Sequence, residues 1–148
     1  MLTVSDKASV KQELTPIFES FRQKLEEVFA EGNTVVYDAL DAARRMLMNY
    51  RNDLPQLRKR IIIVTDGGDT GSEASAKDVC FALQRSSIIV DSVQVGLQSD
   101  NKLHAISVAT GARCSQFQLL SRYDTCHFRR IPFLPSNFAQ RCIEHLCV

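Results

Sequence analysis

Apolar residues in this chain fall into short blocks of two different spacings. Leu2-Thr3-Val4-Ser5 alternates and predicts a short strand. Asp6-Lys7-Ala8-Ser9 predicts a turn, and Val10 to Leu14 a returning strand whose polar Lys11, Gln12 and Glu13 suit a sheet edge. Thr15-Pro16 predicts a helix start, with Thr as cap and Pro at a position whose N–H has no helical acceptor. Phe18, Phe21, Leu25, Val28 and Phe29 then form one apolar stripe. Gly32-Asn33 ends that helix. A second begins at Thr34 or Val35, burying Val36, Leu40, Ala43 and Leu47 and leaving Asp38, Asp41, Arg44 and Arg45 outside. Residues 49–56 read as a polar loop.

Ile61-Ile62-Ile63-Val64 is a continuous β-branched run without alternation, which predicts a strand covered on both faces. A Gly- and Asp-rich turn spans Thr65 to Ser72. Ser72 or Glu73 opens a helix carrying Ala76, Val79, Cys80 and Leu83. Ile88 to Val95 is the next strand, and Asn101 to Ala109 a short helix with Leu103, Ile106 and Ala109 on one side. Alternating strands and helices imply an α/β fold, a mostly parallel sheet with helices on both faces. Sites in such sheets lie beyond the carboxyl ends of the strands. After Arg113 the periodicity fades until Phe138 to Leu146, which reads as a short helix.

Composition narrows the field. The 148 residues are 45% hydrophobic and 24% charged, which excludes disorder as the main state. No apolar run approaches the length of a membrane span. Eighteen basic against 17 acidic residues give a net charge of +1, without the basic excess of a nucleic-acid binder. Five cysteines, an odd number, and no visible signal peptide point to reduced thiols in a cytoplasmic setting.

Candidate chemistry concentrates in Thr65-Asp66-Gly67-Gly68-Asp69-Thr70-Gly71-Ser72. Asp66 stands where a buried strand ends. The turn has the glycines of a phosphate loop, but Asp66, Asp69 and Glu73 would repel phosphate and attract a cation, and no dinucleotide or Walker sequence occurs. The blander reading of Asp69 and Glu73 is a solvated turn and a helix N-cap. Asp69-Thr70-Gly71-Ser72 also matches an aspartic-protease signature, which needs a second carboxylate sharing a proton. No second copy is present, and the flanking helices argue against a β-rich protease. Cys126-His127 and Cys142-x-x-His145-x-Cys147 fit no standard zinc finger, and the blander reading is free thiols and a surface His.

A second feature is Gly32-Asn33-Thr34-Val35-Val36-Tyr37-Asp38-Ala39-Leu40, on its own a capped helix start. Together with the Ile/Val strand ending Thr65-Asp66-Gly67, it resembles a von Willebrand factor type A (VWA) domain. Leu2 to Asp6 resembles that family's second strand, Leu14-Thr15-Pro16 the run into its next helix, Val93 to Gly96 its fifth strand, and Leu103 to Gly111 the following helix and turn. The resemblance implies a Rossmann-like fold over residues 1–113, a partial VWA domain, with 114–148 a divergent tail. It further implies a non-enzymatic module that binds a protein partner through Mg²⁺ or Mn²⁺ in a metal-ion-dependent adhesion site (MIDAS). In that family an Asp-x-Ser-x-Ser loop, a Thr and an Asp hold the ion, and a partner carboxylate completes its shell. Thr34 and Asp66 match the last two.

Asp-x-Ser-x-Ser occurs nowhere in this chain. The family's central first strand, its metal loop and the helix after it are therefore expected to be missing, as in an N-terminally truncated domain. Its loss would leave the neighbouring strands about 9–10 Å apart, twice the normal spacing. With one carboxylate and one hydroxyl left, metal binding is expected to be impaired. The alternatives are a metal-independent scaffold of the same fold and, further off, an aspartate-dependent hydrolase.

Overall fold

The computed structural model describes residues 1–29, 32–50, 57–96, 99–112 and 114–117. Leu2–Val4 (β1) and Ala8–Val10 (β2) pair antiparallel, with Leu2 opposite Val10 and Val4 opposite Ala8. Phe18–Glu26 (α1) and Val36–Asn49 (α2) follow. Then come Arg60–Thr65 (β3), Ala76–Arg85 (α3), Ile89–Val95 (β4), Asn101–Ala109 (α4) and Cys114–Phe117 (β5). The last three strands form one parallel sheet in the order β3-β4-β5, with Ile61 beside Val90 and Val93 beside Ser115. This is the α/β architecture the alternation predicts. The sheet continues past position 113, into β5, which runs to Phe117. Among the described residues no strand joins β1 to β3, so the described strands form two sheets.

The core lies between the larger sheet and α2, α3 and α4. Ile61 and Ile63 of β3 and Val90 of β4 meet Val36, Tyr37 and Leu40, Val79 and Leu83, and Leu103 and Ile106 from the three helices. Ala43, Leu47 and Cys80 pack at its margin, so the predicted stripes of α2 and α3 face inward. In α4 the inner side is Leu103, Ile106 and Ser107, and Ala109 is exposed. Ser107 satisfies its buried hydroxyl by donating to the Leu103 carbonyl at 3.2 Å and bonding Ser92 at 2.9 Å.

Four local expectations are corrected. β3 is not covered on both faces: it alternates, with Ile61 and Ile63 buried while Ile62 is 67% and Val64 58% exposed. A β-branched run records strand preference and not the number of layers around it. The hairpin closes earlier than expected, around Ser5-Asp6-Lys7, with the Ser5 amide donating to the Lys7 carbonyl at 3.3 Å. α1 begins at Phe18 and not at Thr15, because the Thr15 hydroxyl accepts from the Ile17 amide in a local turn. α3 begins at Ala76 because Ser72, Glu73 and Ala74 are engaged by α2. Ser75 is the cap, accepting from the Asp78 amide at 3.1 Å. The apolar stripe of α1 contains no buried residue. Residues 51–56 of the polar loop, the cysteine and histidine pairs after 125, and the helix at 138–146 lie outside the described residues. Among the described residues no helix is long and apolar enough to cross a membrane.

Candidate functional site

The carboxyl ends of β3 and β4 and the N-termini of α2 and α4 meet at one end of the sheet. The segment before α2 is fixed there from both sides. Thr34 donates its amide to the Thr70 hydroxyl at 2.7 Å and accepts the Thr70 amide on its carbonyl at 2.9 Å. Asn33 donates its amide to Asp6 at 2.8 Å, and Val35 donates to the Ser5 carbonyl at 3.4 Å. Gly32 makes this approach possible: its φ is +73°, and an added Cβ would lie 3.0 Å from the Asp6 carboxylate.

Asp69 carries the joint between the turn and α2. The residue preceding α2, Val35, offers no side-chain cap. Asp69 supplies it from across the chain, accepting from the Val36 amide at 2.8 Å. Its carboxylate also accepts from the Gly71 and Ser72 amides at 3.3 and 3.1 Å and from the Ser72 hydroxyl. The Ser72 oxygen in turn accepts from the Tyr37 and Asp38 amides at 3.0 and 3.3 Å. Asp38 answers in the other direction, accepting from the Glu73 and Ala74 amides at 3.0 and 2.9 Å. Burial disfavours the charged form of Asp69. The Ser72 hydroxyl and the amides of Ser72, Gly71 and Val36 outweigh it and hold the carboxyl below the usual carboxylate range. A carboxylate saturated by donors and kept ionised is the opposite of the proton-sharing pair that the protease signature requires.

Asp100 is a second joint. It caps α4 by accepting from the Lys102 and Leu103 amides at 2.8 and 3.1 Å. It accepts the Tyr37 hydroxyl at 2.8 Å and the Asp69 amide at 3.4 Å. Gln94, buried at the end of β4, bonds both main-chain groups of Asp100, accepting at 2.6 Å and donating at 3.3 Å. Burial again opposes the charge on Asp100, and the donors overcome it, so its pKa also falls. Burial and the adjoining carboxylates push the Tyr37 phenol up. Beside this joint lies an open depression of ≈ 320 Å³, lined by Tyr37, Gly68, Asp69 and the Ser99–Lys102 segment.

Both candidate metal ligands sit at this end. Thr34 is clamped to Thr70 through its main chain. Asp66, the residue after β3, is exposed, and among the described residues its carboxylate takes no hydrogen bond. Mg²⁺ asks for a near-octahedral set of oxygens. Thr34 and Asp66 offer one hydroxyl and one carboxylate, and among the described residues no group of three or more His, Cys, Asp or Glu could hold a metal ion. The pair alone does not fit the ion. Sequence reasoning passed over Asp6, Tyr37, Gln94 and Asp100. Only Asp100 had a local signal, an acid directly before an apolar-periodic helix.

A family model for the von Willebrand factor type A domain matches residues 1–123. A probable bifunctional E2/E3 enzyme, R795, of Acanthamoeba polyphaga mimivirus is 32% identical over 114 residues, which is 74% of this chain and 9% of that protein. The SpRpn10 VWA domain superposes with a TM-score of 0.56 at 17% identity, over 78% of this chain and 60% of that one. Proximal thread matrix protein 1 of the mussel byssus, solved with a zinc-occupied MIDAS motif, gives a TM-score of 0.62 at 20% identity, over 78% and 29%. The chain thus spans a small part of the curated relative and 60% or less of these two structures.

Proposed function

This chain belongs to the von Willebrand factor type A domain family, a family of protein-interaction modules, and from that premise we propose that it binds a protein partner through the carboxyl end of its parallel sheet. The observation that carries this reading is the two-bond clamp of the Thr34 main chain to the amide and hydroxyl of Thr70, four residues beyond Asp66. It keeps the hydroxyl and the carboxylate on neighbouring loops at the end where α/β sheets bind ligands. In our reading Thr34 and Asp66 are the positions that face a cation, Mg²⁺ or Mn²⁺, in the fully liganded form of this family. Here they are too few to retain it tightly, and contact with the partner rests on the surface itself. The mussel structure, with its zinc-occupied MIDAS motif, supports metal binding within this family. We read the chain as non-catalytic: Asp69 and Asp100 are engaged as helix caps, and Asp6 and Asp38 accept main-chain amides of the neighbouring loops.

Paramagnetic Mn²⁺ tests the assignment of Thr34 and Asp66 to the cation-facing positions without needing the partner. Added at millimolar concentration, it should broaden the amide signals of residues 33–35 and 66–68 selectively, and Asp66→Ala should abolish the effect. Broadening centred elsewhere, or unchanged in Asp66→Ala, would remove Thr34 and Asp66 from the site.

A further inference from the structure

Thr15-Pro16 is the one place in the 148 residues where a hydroxyl residue precedes a proline. The pair predicts a helix start, but the helix begins at Phe18 and leaves it outside. Lys11 to Ile17 form neither helix nor strand. Ile17 is extended, with φ −87° and ψ 98°. Pro16 biases Thr15 towards the same region, because its ring clashes with a helical residue before it. An extended segment is what the cleft of a protein kinase binds. A proline after the acceptor is distinguished there by its fixed φ and its missing N–H.

The surroundings leave this segment open. Glu13, Leu14, Pro16, Ile17 and Phe18 are exposed, and Thr15 is half-buried. Among the described residues the Thr15 hydroxyl has one partner, the Ile17 amide at 3.1 Å, and towards it the oxygen is the acceptor. No described group takes the hydroxyl proton. Thr65 and Thr110, by contrast, donate their hydroxyls to main-chain carbonyls at 2.8 and 3.0 Å. Downstream, α1 buries no residue, and its ion pairs Arg22–Glu26 and Lys24–Glu27 lie on the surface. A helix of nine residues held so lightly is marginal on its own. Its first turn can open to let residues 13–19 settle in a cleft without disturbing the core.

From an exposed Thr-Pro pair in an extended segment beside a lightly held helix, we infer that Thr15 is a phosphorylation site for a proline-directed protein kinase. The phosphoryl donor is a nucleoside triphosphate. The Thr15 oxygen attacks the γ-phosphorus, the bond from that phosphorus to the β,γ-bridging oxygen breaks, and the nucleoside diphosphate leaves. The hydroxyl proton passes to the base of the kinase. The product carries about −2 charge at neutral pH, placed beside exposed Leu14, Ile17 and Phe18. An apolar stretch of surface thereby becomes an anionic one. The site is independent of Thr34 and Asp66.

The test incubates the 148-residue chain with a mitogen-activated protein kinase and ATP and maps the product by tandem mass spectrometry. One phosphoryl group per chain is expected, on Thr15. Pro16→Ala keeps the hydroxyl and should lower the initial rate about tenfold, with its urea midpoint measured to show that the fold is kept. A synthetic peptide of residues 9–21 serves as the unfolded comparator. The folded chain should be modified within about threefold of the peptide's rate, since the segment is already open. Four results would overturn the inference: no incorporation, incorporation on another hydroxyl, a rate indifferent to Pro16→Ala in a folded variant, or a folded chain modified more slowly than that margin.

Discussion

Asp69 shows how one side chain can look functional and be structural. Its place in a Gly-rich acidic turn invites a catalytic or metal-binding reading, yet its oxygens are occupied by the start of α2 and by its own turn. Removing a side-chain cap costs about 0.5–2 kcal/mol. Asp69 accepts from several donors, so Asp69→Ala should fall at the upper end of that range, about 2 kcal/mol, in urea unfolding. The same residue dictates a pH response. Asp69 and Asp100 have folded-state pKa values below the ordinary carboxylate value. The stability they contribute is therefore complete above the unfolded pKa, about 4, and drains away as pH falls through the folded values. The urea midpoint should drop steeply below pH 4 in the parent chain, and Asp69→Ala should flatten that acid limb. Equal slopes in both proteins would show that Asp69 does not carry the linkage.

Among the elements, the periodic stripes were the most legible part of the sequence. Val36, Leu40, Val79, Leu83, Leu103 and Ile106 are buried as their spacing requires. What spacing does not encode is whether anything lies opposite. Phe18, Phe21 and Leu25 repeat as regularly as the stripe of α2, yet α1 buries none of them. The Ile61–Val64 run likewise hid an alternation in which every second residue is exposed. Leu40→Ala, in the middle of the core, should cost about 2–5 kcal/mol in chemical denaturation. Ile62→Thr, one face away on β3, should stay within about 0.5 kcal/mol of the parent. A large loss at Ile62 would mean that its face is covered in solution. Element starts were less legible because their caps are not local: Val35 has no cap of its own, and Ser72, which looked like a helix start, is bonded to α2.

For the whole molecule, the family and the α/β order were readable from short motifs in sequence, and the family match confirms them. The Tyr37–Asp100 contact, spanning 63 positions, was not, because neither residue carries a local mark of the other. The division into two sheets predicts two stabilities. Amides of the short β1–β2 hairpin should exchange in a faster class than those at the centre of the β3-β4-β5 sheet, which backs onto the core. A single class of exchange rates across both would argue for one continuous cooperative sheet. The cap on α2 also bears on the order of assembly. Asp69 reaches the Val36 amide from 33 positions downstream, and Asp38 reaches the Ala74 amide across 36. The first turn of that helix is thus left unfinished until a long loop has closed, so nucleating the helix and docking the strand turn become one kinetic event.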